Sequence, residues 1–206
     1  MTHHVVGLDL SLTNTGVAVI RGDDQPRVRN ILSSATGEIV DGKRQVSLLE
    51  RRNRLQGIAA RALSFALDGH DPRYDDAPLF VIEAPLYVAP RAGGGAGQHD
   101  RAGLWWLIVH LAYKRGLVAE VAPTALKRYA TGKGSGRKEG VLAALPHMFP
   151  GMFVDDDNAA DALVLAAMGA RAIGHPVEPS PQRVTPAALE SVRWPTDTQR
   201  RSHAAP

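Results

Sequence analysis

The 206-residue chain contains no cysteine, and only 5% of its residues are aromatic. Without cysteine, neither disulfides nor thiolate metal sites can form, which is typical of soluble, cytoplasmic proteins. The sequence also lacks an apolar run long enough to span a bilayer and a charged-then-apolar leader at its N-terminus, so we expect no membrane partner. Its 44% hydrophobic residues are sufficient to form the core of one domain.

Positive charge is concentrated in the middle of the chain. The formal net charge is only +3, but residues 85–140 contain nine Lys or Arg against three Asp or Glu, a local net charge of +6. The rest of the chain is therefore net acidic. A local basic patch of this kind favours a polyanionic partner such as nucleic acid.

The first twenty residues predict a β-hairpin that carries a carboxylate in its first strand. Apolar residues at 5–6 and 17–20 flank a polar turn, and Asp9 lies between Leu8 and Leu10. Burying a carboxylate in so apolar a strand is costly unless a cation or hydrogen bonds compensate it. Gly7 just before it permits another group to approach closely. Asp9 is therefore either the first residue of a polar loop or a metal ligand in the middle of a sheet.

A second carboxylate follows a second apolar segment. Residues 79–82 form a short continuous apolar run, as in a strand buried on both faces, and Glu83 comes directly after it. Ligands of open α/β sheets collect at the carboxyl ends of strands. Glu83 is thus a candidate ligand, with a solvent-facing strand end as the alternative.

The segment 86–98 that follows is predicted to be an irregular loop. Its glycine run is not followed by Lys-Ser or Lys-Thr, so it is not a P-loop. Tyr87 in this loop is interpreted either as a residue that stacks on a DNA base or as one that packs on the fold.

Apolar spacing predicts the remaining elements. Helices are expected over 43–67, 100–114 and 155–173, and further strands over 28–34 and 117–121. The arginines of the first helix are interpreted as a solvated face. The second helix, which contains two adjacent tryptophans, is expected to contribute to the core or to a subunit interface.

A glycine- and lysine-rich block precedes another helix. Lys127 is followed by a turn that contains Lys133, Arg137 and Lys138 among glycines. Glycines before a helix N-terminus let backbone N–H groups approach a phosphate, and flanking basic side chains supply positive charge. This block is therefore predicted to bind DNA phosphates.

The last predicted helix of the domain carries two acids on one face. Asp155 or Asp156 is expected to cap it, which leaves Asp157 and Asp161 four residues apart. Like charges so placed repel each other, and a bound cation would relieve the repulsion. Both are candidate metal ligands.

Four segments together resemble the RuvC-type Holliday-junction resolvases of the ribonuclease-H-like nuclease superfamily. They are GLDLSLTNTGVAV, VIEAP, APTALKRYATGKGSGRKEGV and DNAADALVLA, within about residues 4–173. The resemblance implies an α/β fold with a mixed five-stranded sheet, three antiparallel strands then two parallel ones, and helices on both faces. It also implies a homodimer that cleaves branched DNA with two Mg²⁺ ions per site, for which Mn²⁺ substitutes. On this basis Asp9, Glu83 and Asp161 are metal carboxylates, and Lys127 and Lys138 contact the scissile region.

The sequence departs from the family at the fourth ligand. Family members often have Asp or His three residues before the last Asp, where this chain has Asn158, with Asp157 one residue earlier. An Asn oxygen can bind Mg²⁺ but brings no charge. Either Asp157 takes the role or the site uses three carboxylates. Such divergence suits a phage-encoded member. The sequence names no helicase partner.

We predict a nuclease domain over residues 1–175 and a Pro-rich, mostly disordered tail over 176–206. Two other functions stay open. One is a junction-binding protein with weak catalysis, which the uncharged Asn158 at the fourth-ligand position favours. The other is an ATP-binding sugar-kinase-like protein, whose first phosphate hairpin resembles residues 7–17; such chains are longer and need a second phosphate hairpin, which is not found here.

Overall fold

The computed structural model describes residues 2–35, 37–41, 43–73, 75–85, 95–134, 139–178 and 184–196. Seven strands lie in these ranges: β1 (His4–Asp9), β2 (Asn14–Arg21), β3 (Arg27–Leu32), β4 (Glu38–Val40), β5 (Lys43–Gln45), β6 (Leu79–Glu83) and β7 (Leu117–Val121). Five of them form one sheet in the order β3-β2-β1-β6-β7. The pairs β1–β2 and β2–β3 are antiparallel, and the pairs β1–β6 and β6–β7 are parallel. The predicted mixed five-stranded sheet is confirmed.

Five α-helices of the described residues surround this sheet: α1 (Leu48–Ala66), α2 (Gly95–Tyr113), α3 (Pro123–Thr131), α4 (Glu139–Met148) and α5 (Asp157–Ala172). A 3₁₀ helix spans Pro186–Ser191. In the described ranges, none of the helices is both long enough and apolar enough to cross a membrane.

Two helices begin elsewhere than predicted. The helix predicted over 43–67 starts at Leu48, because Ser47 and Glu50 form a capping box: the Ser47 hydroxyl accepts from the Glu50 N–H, and the Glu50 carboxylate accepts from the Ser47 N–H at 2.8 Å. Residues 43–45 instead pair with 38–40 in a small hairpin. The helix predicted from residue 100 begins at Gly95, inside the segment that was predicted to be irregular.

Alternate side chains of each strand face opposite layers of helices. On one face, a core of strand residues such as Val5 and Val81 packs against α3, α4 and α5. On the other face, residues such as Val6 and Phe80 pack against α1 and α2. This is the period of two expected of strands that are buried on both sides, and it confirms helices on both faces.

Two glycines let α5 lie directly on the sheet. A Cβ on Gly7 would be 1.9 Å from the Ala162 carbonyl oxygen, and one on Gly16 would be 2.0 Å from the Asn158 carbonyl oxygen. No real side chain tolerates such distances, so the backbone of α5 meets the backbones of β1 and β2. This contact fixes where the acids of α5 stand relative to the strands.

The arginines of α1 do more than face solvent, contrary to our interpretation. Arg51 bridges to Asp100 of α2, with 3.0 Å between its Nε and a carboxylate oxygen. Arg54 donates to the Leu12 carbonyl at 2.6 Å and so holds the β1–β2 loop. These contacts join α1 to its neighbours.

The prediction of a disordered tail is wrong for residues 184–196. Val184, Ala188 and Val192 are buried in the same core as α3, and Trp194 packs against that core. Composition concealed this, because the segment is Pro-rich on average while its few apolar residues recur four apart, which matches an apolar surface on α3. The assignment of residues 1–175 to a nuclease domain stays a prediction.

Candidate active site

Asp9 and Glu83 lie at the carboxyl ends of adjacent parallel strands. The register pairs Leu8 with Ile82, so the two acids follow at neighbouring positions, where strands are about 4.8 Å apart. Asp9 is two residues after Gly7, and Glu83 is two residues after Val81, which is paired with Gly7 on the α5 face, so both acids lie on that face. The sheet therefore directs both carboxylates to the same side.

Helix α5 brings two more carboxylates to this point. Ala162 lies against Gly7 and Asn158 lies against Gly16, so the first two turns of the helix cover the ends of β1 and β2. Asp161 directly precedes Ala162, and Asp157 is one turn earlier on the same helix face. Small residues at the contact thus place both acids beside the strand ends.

One cavity of about 230 Å³ collects these side chains. Its described lining includes four carboxylates, four other polar or basic side chains, an aromatic ring and several apolar residues. They are Asp9, Glu83, Asp157, Asp161, Ser11, Asn158, Lys127, Arg101, Trp105, Leu10, Ala84, Pro85, Pro123 and Val141. The structure therefore brings together the four acids singled out in the sequence, with Lys127 beside them.

The donor set fits a hard divalent cation in its chemistry. All four acids offer oxygen ligands, as Mg²⁺ and Mn²⁺ prefer, and Asp9 is only 8% exposed. Within the described parts of the chain, however, no group of three or more His, Cys, Asp or Glu is arranged to hold a metal ion. The four acids line the cavity, and their role as metal ligands stays a prediction.

At the start of α5, the residue that caps the helix is not the residue that faces the cavity. Asp156 is the N-cap, and its carboxylate accepts from the N–H groups of Asn158 and Ala159 at 3.0 Å. The same carboxylate accepts from the Asn14 side chain at 2.7 Å. Since Asp156 provides the cap, Asp157 is left to face the cavity.

Asn158, at the position expected for the fourth ligand, has a structural contact. Its side-chain amide donates to the Asn14 carbonyl oxygen in the β1–β2 turn. This bond ties α5 to the hairpin that carries Asp9. It leaves the Asn158 amide oxygen as the only atom of that side chain suited to a cation.

Two lining residues were missed from the sequence. Trp105 of α2 donates from Nε1 to the Glu83 carbonyl oxygen at 2.9 Å, and the Ala84 N–H donates to the Val121 carbonyl at 2.8 Å. Both bonds hold the end of β6. Arg101, one helical turn before Trp105, also reaches the cavity. Their i, i+4 spacing was visible, but only the docking of α2 against β6 directs them to this site.

The residues predicted to contact DNA divide into three groups. Lys127 of α3 lines the cavity. Lys133 is exposed beyond the end of α3, where Gly132 adopts a φ of 75° and the Lys133 N–H donates to the Thr131 hydroxyl at 3.2 Å; it is not among the described lining residues. Arg137, Lys138 and Tyr87 lie outside the described residues.

Comparison with solved structures identifies the fold. A structure of RuvC from Thermus thermophilus matches with a TM-score of 0.52 and 20% identity, over 84% of this chain and 97% of that chain. T. thermophilus RuvC in complex with a Holliday junction substrate matches with a TM-score of 0.58 and 16% identity over the same shares. No family model and no curated protein matches the sequence. At these identities the similarity establishes the RuvC-like, ribonuclease-H-type fold.

Proposed function

We propose that this chain is a metal-dependent endonuclease that resolves four-way (Holliday) and related branched DNA junctions by paired phosphodiester hydrolysis. The observation that carries the proposal is the convergence of four carboxylates and Lys127 in one cavity. The acids come from β1, β6 and α5, so only this fold unites them. The fold is that of RuvC, and one of the similar structures holds a Holliday junction substrate.

In this proposal Asp9, Glu83, Asp157 and Asp161 hold two Mg²⁺ ions, for which Mn²⁺ substitutes. When bound, such ions activate water and stabilise the charge on the leaving oxygen of a phosphodiester. The buried position of Asp9 fixes its carboxylate against the strand. Trp105 holds the backbone of Glu83, which keeps the second carboxylate at the end of β6.

The basic residues orient the substrate in this proposal. Lys127 and Arg101 are in the lining with the acids, so each can donate to a phosphate oxygen of a DNA strand in the cavity. Lys138 is proposed to contact the scissile region as a catalytic residue, and Lys133, Arg137 and Tyr87 are proposed to contact the same DNA further along. The net charge of +6 over residues 85–140 attracts the backbone before it reaches the acids.

We further propose that the chain acts as a homodimer. Trp106 and Tyr113 of α2 are 65% and 56% exposed, and two turns of helix separate them on one face. Large exposed apolar side chains favour a protein interface. A two-fold dimer would present two cavities to two strands of like polarity, as paired nicking of a four-way junction requires.

A nicking assay on four-way, three-way and linear duplex DNA tests the function. With Mg²⁺ we expect paired nicks in the four-way junction, fewer in the three-way junction and none in the linear duplex. Excess chelator should abolish the cuts while junction binding remains. Cleavage that continues in chelator, or that does not distinguish linear from branched DNA, would contradict the proposal.

One observation supports a second function, that of a junction-binding protein with weak catalysis. The Asn158 amide, at the position expected for the fourth ligand, brings no charge and is bonded to the β1–β2 turn. Measuring junction affinity and cleavage separately distinguishes the two functions, because the second predicts tight binding with negligible cutting. ATP binding by the same protein would instead favour the sugar-kinase-like alternative.

A further inference from the structure

We propose that a C-terminal strap, residues 176–178 and 184–194, positions Lys127 in the cavity, with Glu178 as the central positioning residue. The inference rests on the proposed nuclease function. The strap lies outside the four segments that resemble the RuvC-type resolvases, and none of its residues lines the cavity in the described structure. It is nevertheless joined to α3 and α5, two of the helices that carry site residues.

Glu178 connects α3 to α5 through a ring of buried side chains. The Tyr129 hydroxyl of α3 donates to one Glu178 carboxylate oxygen, and Arg171 of α5 donates to the other at 2.8 Å. Arg171 Nε also donates to the Tyr129 hydroxyl oxygen at 2.8 Å. The side chains of Glu178 and Arg171 are 0% and 14% exposed. Each member of the ring therefore contacts the other two.

Burial makes this ring sensitive to the loss of any member. A buried charge that loses its partner is strongly destabilising, so the three side chains favour one arrangement. Burial and the neighbouring Glu178 raise the pKa of Tyr129 above its usual range, and its hydroxyl keeps its proton as a donor. The ring holds α3 at a fixed place on α5.

The strap also binds the backbone of α3. The Thr185 N–H donates to the carbonyl of Tyr129 at 2.9 Å, so the same residue is held through its side chain and its main chain. Val184, Ala188 and Val192 are buried against the core that includes α3. Trp194 Nε1 donates to the Leu189 carbonyl at 3.1 Å and closes the 3₁₀ helix.

Helix geometry transmits this contact to Lys127. Tyr129 is two residues after Lys127, a rotation of about 200°, so one faces the strap when the other faces the cavity. A nine-residue helix moves as a short rigid rod, and its displacement displaces Lys127 equally. On α5, Arg171 lies on the same rigid helix as Asp157 and Asp161. The ring thereby fixes Lys127 relative to the acids.

The test is the single-turnover cleavage rate of a four-way junction at saturating protein. In Glu178→Gln we expect that rate to fall by about 10- to 100-fold, because displacements of up to about 1 Å have effects of this size. Junction affinity should fall no further than it does in Lys127→Ala, since Glu178 itself does not line the cavity. Combining Glu178→Gln with Lys127→Ala should lower the rate no further than Lys127→Ala alone, because coupled residues are not additive.

The chain offers a matched control in Asp75→Asn. Asp75 is a buried carboxylate bridged to Arg21 at 2.9 Å, at the other end of the sheet. It should lose stability as Glu178→Gln does and keep the wild-type cleavage rate. If Glu178→Gln does not fold, Tyr129→Phe removes one bond of the ring while it preserves the volume, and the same rates are compared.

Each outcome decides the proposal. A wild-type rate in a destabilised Glu178→Gln would show that the ring only stabilises the fold. Multiplicative losses in the double variant would show that the ring does not act through Lys127. A wild-type chain that cuts no branched DNA would overturn the nuclease function, and the strap proposal with it, whereas a wild-type chain that cuts leaves the strap to be judged alone.

Discussion

The two ends of the β1–β6 pair bury carboxylates in opposite ways. At the amino end, Asp75 is 2% exposed and accepts two hydrogen bonds from Arg21, at 3.1 and 2.9 Å. At the carboxyl end, Asp9 is 8% exposed and lies in register beside Glu83, and α5 adds two further acids. The first end balances each charge with its own partner. The second gathers like charges, an arrangement that favours a bound cation.

The same substitution at both ends is the strongest test of this difference. Asp9→Asn should lower single-turnover cleavage by at least about 10³-fold, or about 4 kcal/mol of transition-state stabilisation. Junction binding should be unchanged or tighter, since less negative charge faces the DNA. Asp75→Asn should cleave normally while its free energy of unfolding falls by about 2 kcal/mol, a value reduced from that of fully buried pairs because Arg21 is one-third exposed.

Asp161→Asn is expected to behave as Asp9→Asn does. Cleavage rates and urea unfolding of all three variants measure the comparison. If either the Asp9 or the Asp161 variant cuts at the wild-type rate, the changed residue is not an essential ligand, the two-metal assignment is wrong, and the distinction between the two ends disappears.

A second substitution, Gly7→Ala, tests the contact between α5 and the sheet. Gly7→Ala would place Cβ 1.9 Å from the Ala162 oxygen and 2.6 Å from the Ala166 nitrogen, so the helix must move. We expect a loss of about 3 kcal/mol of unfolding free energy, at the upper end of overpacking effects, together with lower cleavage because Asp161 moves away from Asp9.

Gly57→Ala is the matched control for this experiment. Gly57 lies inside α1, and a Cβ there would meet no atom within 4 Å. This variant should be as stable as wild type or more stable by up to about 1 kcal/mol, from helix propensity alone. If both glycine variants were equally stable, close packing of α5 on β1 would not be what positions the acids.

Site residues could be predicted from the sequence where their role depends on a local pattern, and not where it depends on contacts between distant segments. Asp9 and Glu83 were recognisable because each interrupts or ends an apolar strand, which is a local pattern. The capping box of Ser47 and Glu50 was equally local, although it was overlooked. Arg101 and Trp105 could not be found, because their role depends on how α2 docks against β6.

The tail was mispredicted for a related reason. Its average composition suggests disorder, whereas Val184, Ala188 and Val192 gain their stability from a surface that exists only after α3 has folded. The bond from Asn158 to Asn14 is likewise a contact between residues distant in sequence. Local periodicity predicted the sheet and its acids, and long-range packing determined their supports.

We expect the stability of the fold to decrease in acid because of a histidine at the amino end of the sheet. His4 is 1% exposed and donates from Nε2 to the Ala66 carbonyl at 2.7 Å, while its Nδ1 contacts no partner among the described residues. Burial is the main reason that the pKa of His4 is lowered from 6.5 to about 4. The nearby His70 and Arg21 lower this pKa further, whereas the hydrogen bond to Ala66 and the charge of Asp75 raise it.

The sign of the effect follows from proton binding. Below about pH 6.5 the unfolded chain protonates this histidine and the folded chain does not until about pH 4, so stability falls as the pH decreases through that window, by about 3 kcal/mol in total. His3, whose pKa is lowered by burial and by His175, acts in the same direction. Urea unfolding across this range should show a smaller pH slope in His4→Gln. An unchanged slope would assign the acid sensitivity to other groups.

Asp157 and Asn158 offer a finer comparison within the carboxyl end. Because Asp156 provides the cap, Asp157→Ala should leave stability within about 0.5 kcal/mol of wild type while cleavage falls by about 10- to 100-fold. Asn158→Ala loses its bond to the Asn14 carbonyl and should cost about 1 kcal/mol of stability, with a smaller loss of activity. Parallel measurement of rate and stability separates these effects. A larger loss of rate in Asn158→Ala would make the amide oxygen, not Asp157, the fourth ligand.

The smallest expected effect distinguishes lysines inside and outside the cavity. Lys133 is exposed and is not part of the described lining, so Lys133→Ala should weaken junction binding a few-fold and reduce the salt dependence by about one counterion. Its cleavage rate should be normal once DNA is saturated. Lys127→Ala should lower both affinity and saturated rate, because Lys127 stands among the acids, and Lys138→Ala is predicted to affect mainly the rate. If all three variants recover the full rate at saturating protein, the basic block is only an electrostatic patch and the acids act without a lysine.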